Sequence, residues 1–306
     1  MDQPARVVPD GPLLIGVHEA ERSRDAIALG QQLALCVPGQ PVYLYVHTLE
    51  ELDALMAGWH PEEVEQLVDE HAQDQLARVR ALAAEMDVSG IQLRQATSAA
   101  EGLHEQAVES EAALVVIGSS SHSVLGRVLP GGTAERLLSG APVPVAVAPS
   151  GYAGREPGRM VIGVGFDRST EARQAVRWAA DLATRGGASL QVLAVHTPMA
   201  FGSTVAGGAY GTLTVNQALA NELKSDSEQL SEDLPAELSV DTYVLEGDPA
   251  KLLVERSKEL GLLVLGSRRY GPVKSVLLGS VSSYVSRNSY CPDLVVPRGA
   301  GGEQAG

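Results

Sequence analysis

Short apolar runs recur along the chain, and each is followed by a stretch whose apolar positions fall every three or four residues. A run of about five apolar residues between turn residues reads as a strand buried on both faces, and the wider spacing reads as a helix. In the first half the runs predict strands over Leu13–Val17, Val42–Val46, Ile91–Gln95, Leu114–Ile117 and Val143–Ala148. Between them, helices are predicted over Ser23–Leu35, Pro61–Met86, Glu101–Glu109 and Thr133–Leu138. Pro61–Met86 is the clearest: a proline and acidic residues open it, and Val64, Leu67, Val68, Leu76 and Val79 share one face. Pro149–Gly158, rich in glycine and proline, reads as a linker.

The pattern then starts again. Strands are predicted over Met160–Val164, Leu190–Val195, Leu238–Leu245, Leu262–Leu265 and Leu294–Val296, with helices over Ala172–Thr184, Asn216–Leu230, Pro249–Leu260 and Val281–Asn288. Phe201–Val215 reads as a glycine-rich loop, either a cover over a ligand or a surface insertion. The tail from Gly299 to Gly306 reads as disordered. Apolar strands alternating with helices imply an α/β protein whose parallel sheets are covered on both faces. The chain has 306 residues, enough for two such domains, placed at 1–150 and 159–298.

A second regularity is chemical. Val116–Leu137 and Val264–Tyr284 carry the same glycine pattern, with Gly118 and Gly266, and Gly131 and Gly279, each 148 residues apart. A recurrence at fixed distance marks a tandem duplication. Gly118 and Gly266 close a strand, where a glycine admits close backbone approach. Gly131-Gly132 and Gly279-Ser280 open a helix, whose free N–H groups attract an anion. The pair makes a phosphate cradle, although tight turns alone would also call for glycine.

Composition narrows the function. A formal net charge of −15 argues against general binding to nucleic acid or an anionic membrane. Two cysteines, Cys36 and Cys291, give no disulfide framework or metal-ligand spacing and read as packing residues. No apolar run reaches the roughly 20 residues of a membrane span, and the first residues lack the apolar core of a secretory signal. The expected location is the cytoplasm. Gly163–Arg168 begins like a dinucleotide fingerprint, but Arg168 stands at its third glycine. Gly118–His122 fails as a nucleophile elbow because His122 replaces the closing glycine.

With both glycine patterns in view, the chain resembles a tandem universal stress protein of the nucleotide-binding type, over residues 13–148 and 160–297. The resemblance implies a doubly wound five-stranded parallel sheet of order 3-2-1-4-5 in each half. It also implies ATP, with or without Mg, between the first and fourth strands, and pairing through the fifth strand. That pairing gives a homodimer, or joins the two halves of one chain. In the C-terminal half Gly266, Gly279 and Ser280 match the family motif, Val281 follows them, and Asp167 matches the Asp after the first strand; Arg269 stands at the second glycine. In the N-terminal half Gly118 and Gly131 match, Ser121 replaces the second glycine, Gly132 replaces the Ser/Thr, Thr133 offers a hydroxyl one residue on, and His18 stands at the Asp position. The C-terminal site is therefore expected to be the more complete and the tighter. By the same resemblance the backbone of Val46 or Val195 would meet adenine, while His18 reads as a surface residue and His47 and His196 as strand-end markers.

Two functions from different classes follow. One is a regulatory switch whose ATP occupancy is read by a protein partner that the sequence does not name. The other is a scaffold or stress-tolerance module that acts through its dimer surface without nucleotide. A slow ATPase is the weaker third, since no base to activate water is evident.

Overall fold

A computed structural model describes residues 7–18, 20–48, 61–119, 127–128, 132–140, 142–155, 160–198, 208–267 and 279–300. The predicted strands form β1 (Leu13–Val17), β2 (Pro41–Thr48), β3 (Ile91–Ala96), β4 (Leu114–Gly118) and β5 (Val145–Ala148) in the first half. In the second they form β6 (Val161–Phe166), β7 (Ser189–His196), β8 (Val240–Glu246), β9 (Leu262–Gly266) and β10 (Asp293–Val296). The intervening helices are α1 (Ala20–Leu33), α2 (Pro61–Glu85), α3 (Ala99–Glu109) and α4 (Gly132–Gly140), then α5 (Thr170–Gly186), α6 (Gly208–Glu232), α7 (Pro249–Arg256) and α8 (Ser280–Val285).

Each half has the order 3-2-1-4-5, and the halves join into one ten-stranded sheet, β3-β2-β1-β4-β5-β10-β9-β6-β7-β8. All neighbours are parallel except β5 and β10, which run antiparallel with Val147 opposite Asp293 and Val145 opposite Val295. The fifth strands thus pair with each other inside the chain, and neither keeps a free edge. The outer edges are β3 and β8, whose sequences IQLRQA and VDTYVLE carry polar and charged side chains that discourage further strand addition.

The inner strands are buried on both faces, as continuous apolar runs require, while β3 and β8 at the edges are partly exposed. On one face α1, α2, α5 and α6 cover a single core shared by both halves, with Ile15, Leu33 and Cys36 from the first and Trp178, Leu182 and Val192 from the second. On the other face there are two cores: Leu103 of α3 and Leu137 of α4 in one, which Val295 of β10 joins across the seam, and Leu253 of α7 and Val285 of α8 in the other. Burial pushes the Cys36 thiol up to about 11 and the Cys291 thiol to about 12, so both are the inert packing residues expected.

Polar contacts fasten the halves. The Asp25 carboxylate of α1 accepts from the Gly151 and Ala153 amides at 2.8 and 2.9 Å, which folds the start of the linker into a turn over Tyr152–Gly154. Asp181 of α5 accepts from the Val7 and Val8 amides at 3.2 and 3.0 Å. Trp178 Nε1 donates to the Ala300 carbonyl at 3.2 Å, so the start of the tail is anchored rather than disordered. The glycine-rich stretch Phe201–Val215 is also corrected: α6 begins at Gly208, because Ala209 through Val215 extend the helical run despite the glycines that open it. Residues 201–207 lie outside the described residues. Residues 257–259 form a separate 3₁₀ turn after α7, and α8 ends at Val285, three residues short of the expected boundary.

Candidate functional site

All strands of a half end on the same side, and strand order reverses between β1 and β4. Ligands of doubly wound sheets bind at that crevice. In the N-terminal half the crevice opens into a cavity of about 450 Å³. Gly16, Val17 and His18 wall it at the end of β1, Gly118 and Ser119 at the end of β4, and Gly132, Thr133 and Arg136 on α4. Leu44 and Val46 of β2 with Leu103 of α3 give it an apolar floor. Among the described lining residues there is no Asp or Glu, and the ionisable side chains are His18 and Arg136.

Local chemistry fixes each wall. His18 is half-buried and stacks on Tyr45, ring centroids 5.7 Å apart and planes 14° from parallel, while its amide donates to Ser23 Oγ at 2.8 Å. It is a cavity wall, not the surface residue expected, because Ser23 of α1 holds its amide and the ring lies against Tyr45 of β2. Ser119 donates through both N and Oγ to the Ala148 carbonyl, at 3.0 and 2.6 Å, tying the end of β4 to β5. Ser98 caps α3, its side chain accepting from the Glu101 amide, and aims that helix's N-terminus at the cavity. Gly132 opens α4, and a Cβ built on it would meet nothing within 4 Å. Gly132 and Thr133 line the cavity at the start of α4, where free helix N–H groups favour an anion.

Of the residues singled out from the sequence, the structure brings Val46, Gly118, Gly132 and Thr133 together in this cavity. Gly16, Ser23, Thr48, Ser98, Ser119 and Arg136 were not foreseen. Two of them had a readable signal: Ser119 directly follows the motif glycine, and Arg136 lies four residues after Gly132 on the same helix face. Ser121 and Gly131 lie outside the described residues.

In the C-terminal half, Asp167 follows β6 and accepts from the Ser169 amide at 3.1 Å and from its hydroxyl. Ser169 is the N-cap of α5, accepting from the Ala172 amide at 3.1 Å, so Asp167 braces the cap without being it. The intervening Arg168 adopts φ +71°, uncommon outside glycine. Its guanidinium pairs with Asp226 of α6 at 2.5 Å, which offsets the cost of that turn. Gly266 is needed for packing: a Cβ there would lie 2.6 Å from the Glu171 carbonyl oxygen of α5. Gly279 is different, with φ −59° and nothing within 4 Å of a built Cβ, so no positive φ calls for glycine there. Ser280 is exposed, Val281 is half-buried, and Ser282 Oγ donates to the Gly266 carbonyl at 3.1 Å, joining α8 to β9. Val195 packs against the core below, and His196 Nε2 stands 3.9 Å from Glu246. Ser267, the counterpart of Ser119, is fully buried with no partner for its hydroxyl among the described residues. Arg269 and the neighbouring Arg268 lie outside the described residues.

The Universal stress protein family model matches this chain twice, over residues 11–149 and 158–297. The chain belongs to the universal stress protein family. A universal stress protein of Mycobacterium tuberculosis, Rv2319c, is 31% identical over 254 residues, covering 82% of this chain and 85% of its own. YxiE of Bacillus subtilis is 30% identical over 141 residues, covering 44% of this chain and 95% of its own, as a one-domain relative would. Among solved structures, a universal stress protein from Archaeoglobus fulgidus shares the fold with TM-score 0.59 at 17% identity, covering 94% of this chain and 98% of that one. A Pseudomonas aeruginosa protein does so with TM-score 0.62 at 15% identity, covering 94% and 92%. Among the described residues no helix is long and apolar enough to cross a membrane.

Proposed function

We propose that this universal stress protein binds an adenine nucleotide, ATP first among them, and acts as a regulatory stress-response switch read by a protein partner. The observation that carries the reading is the N-terminal cavity: an apolar floor for a base, beside a helix N-terminus at Gly132 with open space before it. The volume, about 450 Å³, suits a nucleotide-sized ligand. A second site in the C-terminal half rests on the family motif residues Gly266, Gly279 and Ser280 with Asp167 after β6, whose carboxylate already accepts from Ser169. Among the described residues no three His, Cys, Asp or Glu side chains converge to hold a metal ion, so a Mg ion would arrive with the nucleotide's phosphates. No carboxylate among the described residues lines the N-terminal cavity to take a proton from water, which favours binding over turnover there.

The reading places the chain in the cytoplasm, where ATP is abundant. It takes the β5–β10 seam as the in-chain equivalent of a fifth-strand dimer, and any homodimer must use another surface. Mass spectrometry of protein purified in its native state and then gently denatured tests the proposal. Co-purified ATP, ADP or AMP is the expected result. A ligand-free protein that also ignores ATP in titration would leave the scaffold function in its place.

A further inference from the structure

The duplication lets the chain serve as its own control, because each wall residue has a counterpart 148 or 149 positions away. His18 of the N-terminal half corresponds to Asp167, and Arg136 corresponds to Tyr284. The two differences change charge in the same direction. The N-terminal cavity exchanges a carboxylate for an imidazole and gains a guanidinium, in a protein whose formal net charge is −15.

Strand order says which part of a ligand each group would meet. β2, β1 and β4 are adjacent and parallel, so their ends stand in a row along the cavity. Leu44 and Val46 of the apolar floor lie at the β2 end, Leu103 packs against Gly16 of β1, and α4, with Gly132 and Arg136, follows β4. Adjacent strands are about 4.8 Å apart, so the row spans roughly 10 Å, the reach of a nucleotide from base to 5′-phosphate. A base on the floor and a phosphate at α4 leave the sugar over the end of β1, where His18 stands. A carboxylate at that position accepts hydrogen bonds from sugar hydroxyls and repels a phosphate. An imidazole N–H donates to a phosphate oxygen.

We propose, resting on the reading above, that the N-terminal cavity selects a nucleotide bearing a phosphate on its ribose, and that His18 confers the preference. In the same proposal the C-terminal half, with Asp167 at that position, lacks this preference. The two halves therefore respond to different nucleotides.

Two isomers make the test clean. ADP and adenosine 3′,5′-bisphosphate have the same atoms and differ in where the second phosphate sits, and the bisphosphate carries about one more negative charge near neutral pH, so the reversal in His18→Asp decides the matter rather than the wild-type ratio alone. Isothermal titration of the full chain carrying Gly279→Val, which occludes the C-terminal site, reads the N-terminal cavity. The bisphosphate should bind at least about tenfold more tightly than ADP, as one added charge-assisted hydrogen bond would give. His18→Asp should reverse the order, and His18→Gln, which keeps an N–H donor, should retain part of the preference. Equal affinities, or a ratio that His18→Asp leaves unchanged, overturn the inference and leave nucleotide binding standing. Failure of both ligands to bind the wild-type chain overturns nucleotide binding itself.

Discussion

Replacing Asp293 with Asn should remove a pH-dependent instability built into the seam between the halves. Asp293 opens β10 opposite Val147, is fully buried, and receives a 2.6 Å hydrogen bond from Ser286 Oγ. Its second carboxylate oxygen has no partner among the described residues. The position 148 residues earlier is Val145, an apolar residue at the same place in β5. Burial pushes the Asp293 carboxyl up from 3.8 to about 7, outweighing the Ser286 hydrogen bond that pulls it down. The unfolded chain loses this proton near pH 4 and the folded chain near pH 7. Between those values the native state holds a proton that the unfolded state has released, so stability falls as pH rises through the window. Below the window both states are protonated and the group contributes nothing; above it the loss is constant. About three pH units at 1.36 kcal/mol each give on the order of 4 kcal/mol.

Asn keeps an acceptor for Ser286 and cannot ionise. Its NH₂ group takes the place of the unpartnered oxygen at a cost of about 1–3 kcal/mol, independent of pH. The stability of Asp293→Asn relative to wild type should therefore climb by on the order of 4 kcal/mol between pH 4 and pH 8. At about 2–4 °C per kcal/mol for domains of this size, the two melting curves should diverge by roughly 10 °C over that range. Urea unfolding at pH 4.5, 6 and 8 measures the difference directly. Parallel pH profiles for the two proteins would show that Asp293 is ionised in the native state and refute the reasoning.

Gly266→Ala should lower stability by about 1–3 kcal/mol in thermal melts without ligand, since its Cβ meets the α5 backbone at 2.6 Å. Asp25→Ala should cost about 2–4 kcal/mol in urea titration by stripping two linker amides of a charged acceptor, and should speed proteolysis in residues 149–158. Light scattering should give the 32.0 kDa mass of one chain, because β5 and β10 satisfy each other; a mass of two chains would place the contact on another surface.

Much of the fold was legible because the strand signal and the repeat reinforce each other. Continuous apolar runs such as Leu114–Ile117 can only be buried on both faces, and a duplication repeats every such signal. The end of each helix was less legible. α6 starts eight residues before Asn216, because the run from Ala209 to Val215 continues the helix despite Gly208 and Gly211, which suggest a loop. The seam was readable only as one of two options, since a sequence does not say whether an exposed edge pairs within or between chains. At the site, glycine spacing located the crevice but not the purpose of each glycine: Gly266 makes room for α5, while Gly132 and Gly279 face open space. His18 was misplaced because its stacking partner, Tyr45, is distant in sequence and lies on the neighbouring strand. Arg136 was missed because a lone arginine on a short helix usually marks a solvated face.

Isothermal titration of ATP into wild type, Gly132→Val and Gly279→Val tests nucleotide binding most directly. Neither glycine has a positive φ, and a Cβ at either meets nothing within 4 Å, so both variants should fold and melt close to wild type. The valine branches would fill the space before each helix where a phosphate must sit. The account predicts that wild type binds ATP, that Gly132→Val abolishes binding in the N-terminal cavity, and that Gly279→Val removes a separate, second event. Undiminished ATP binding in the protein carrying both changes would contradict it.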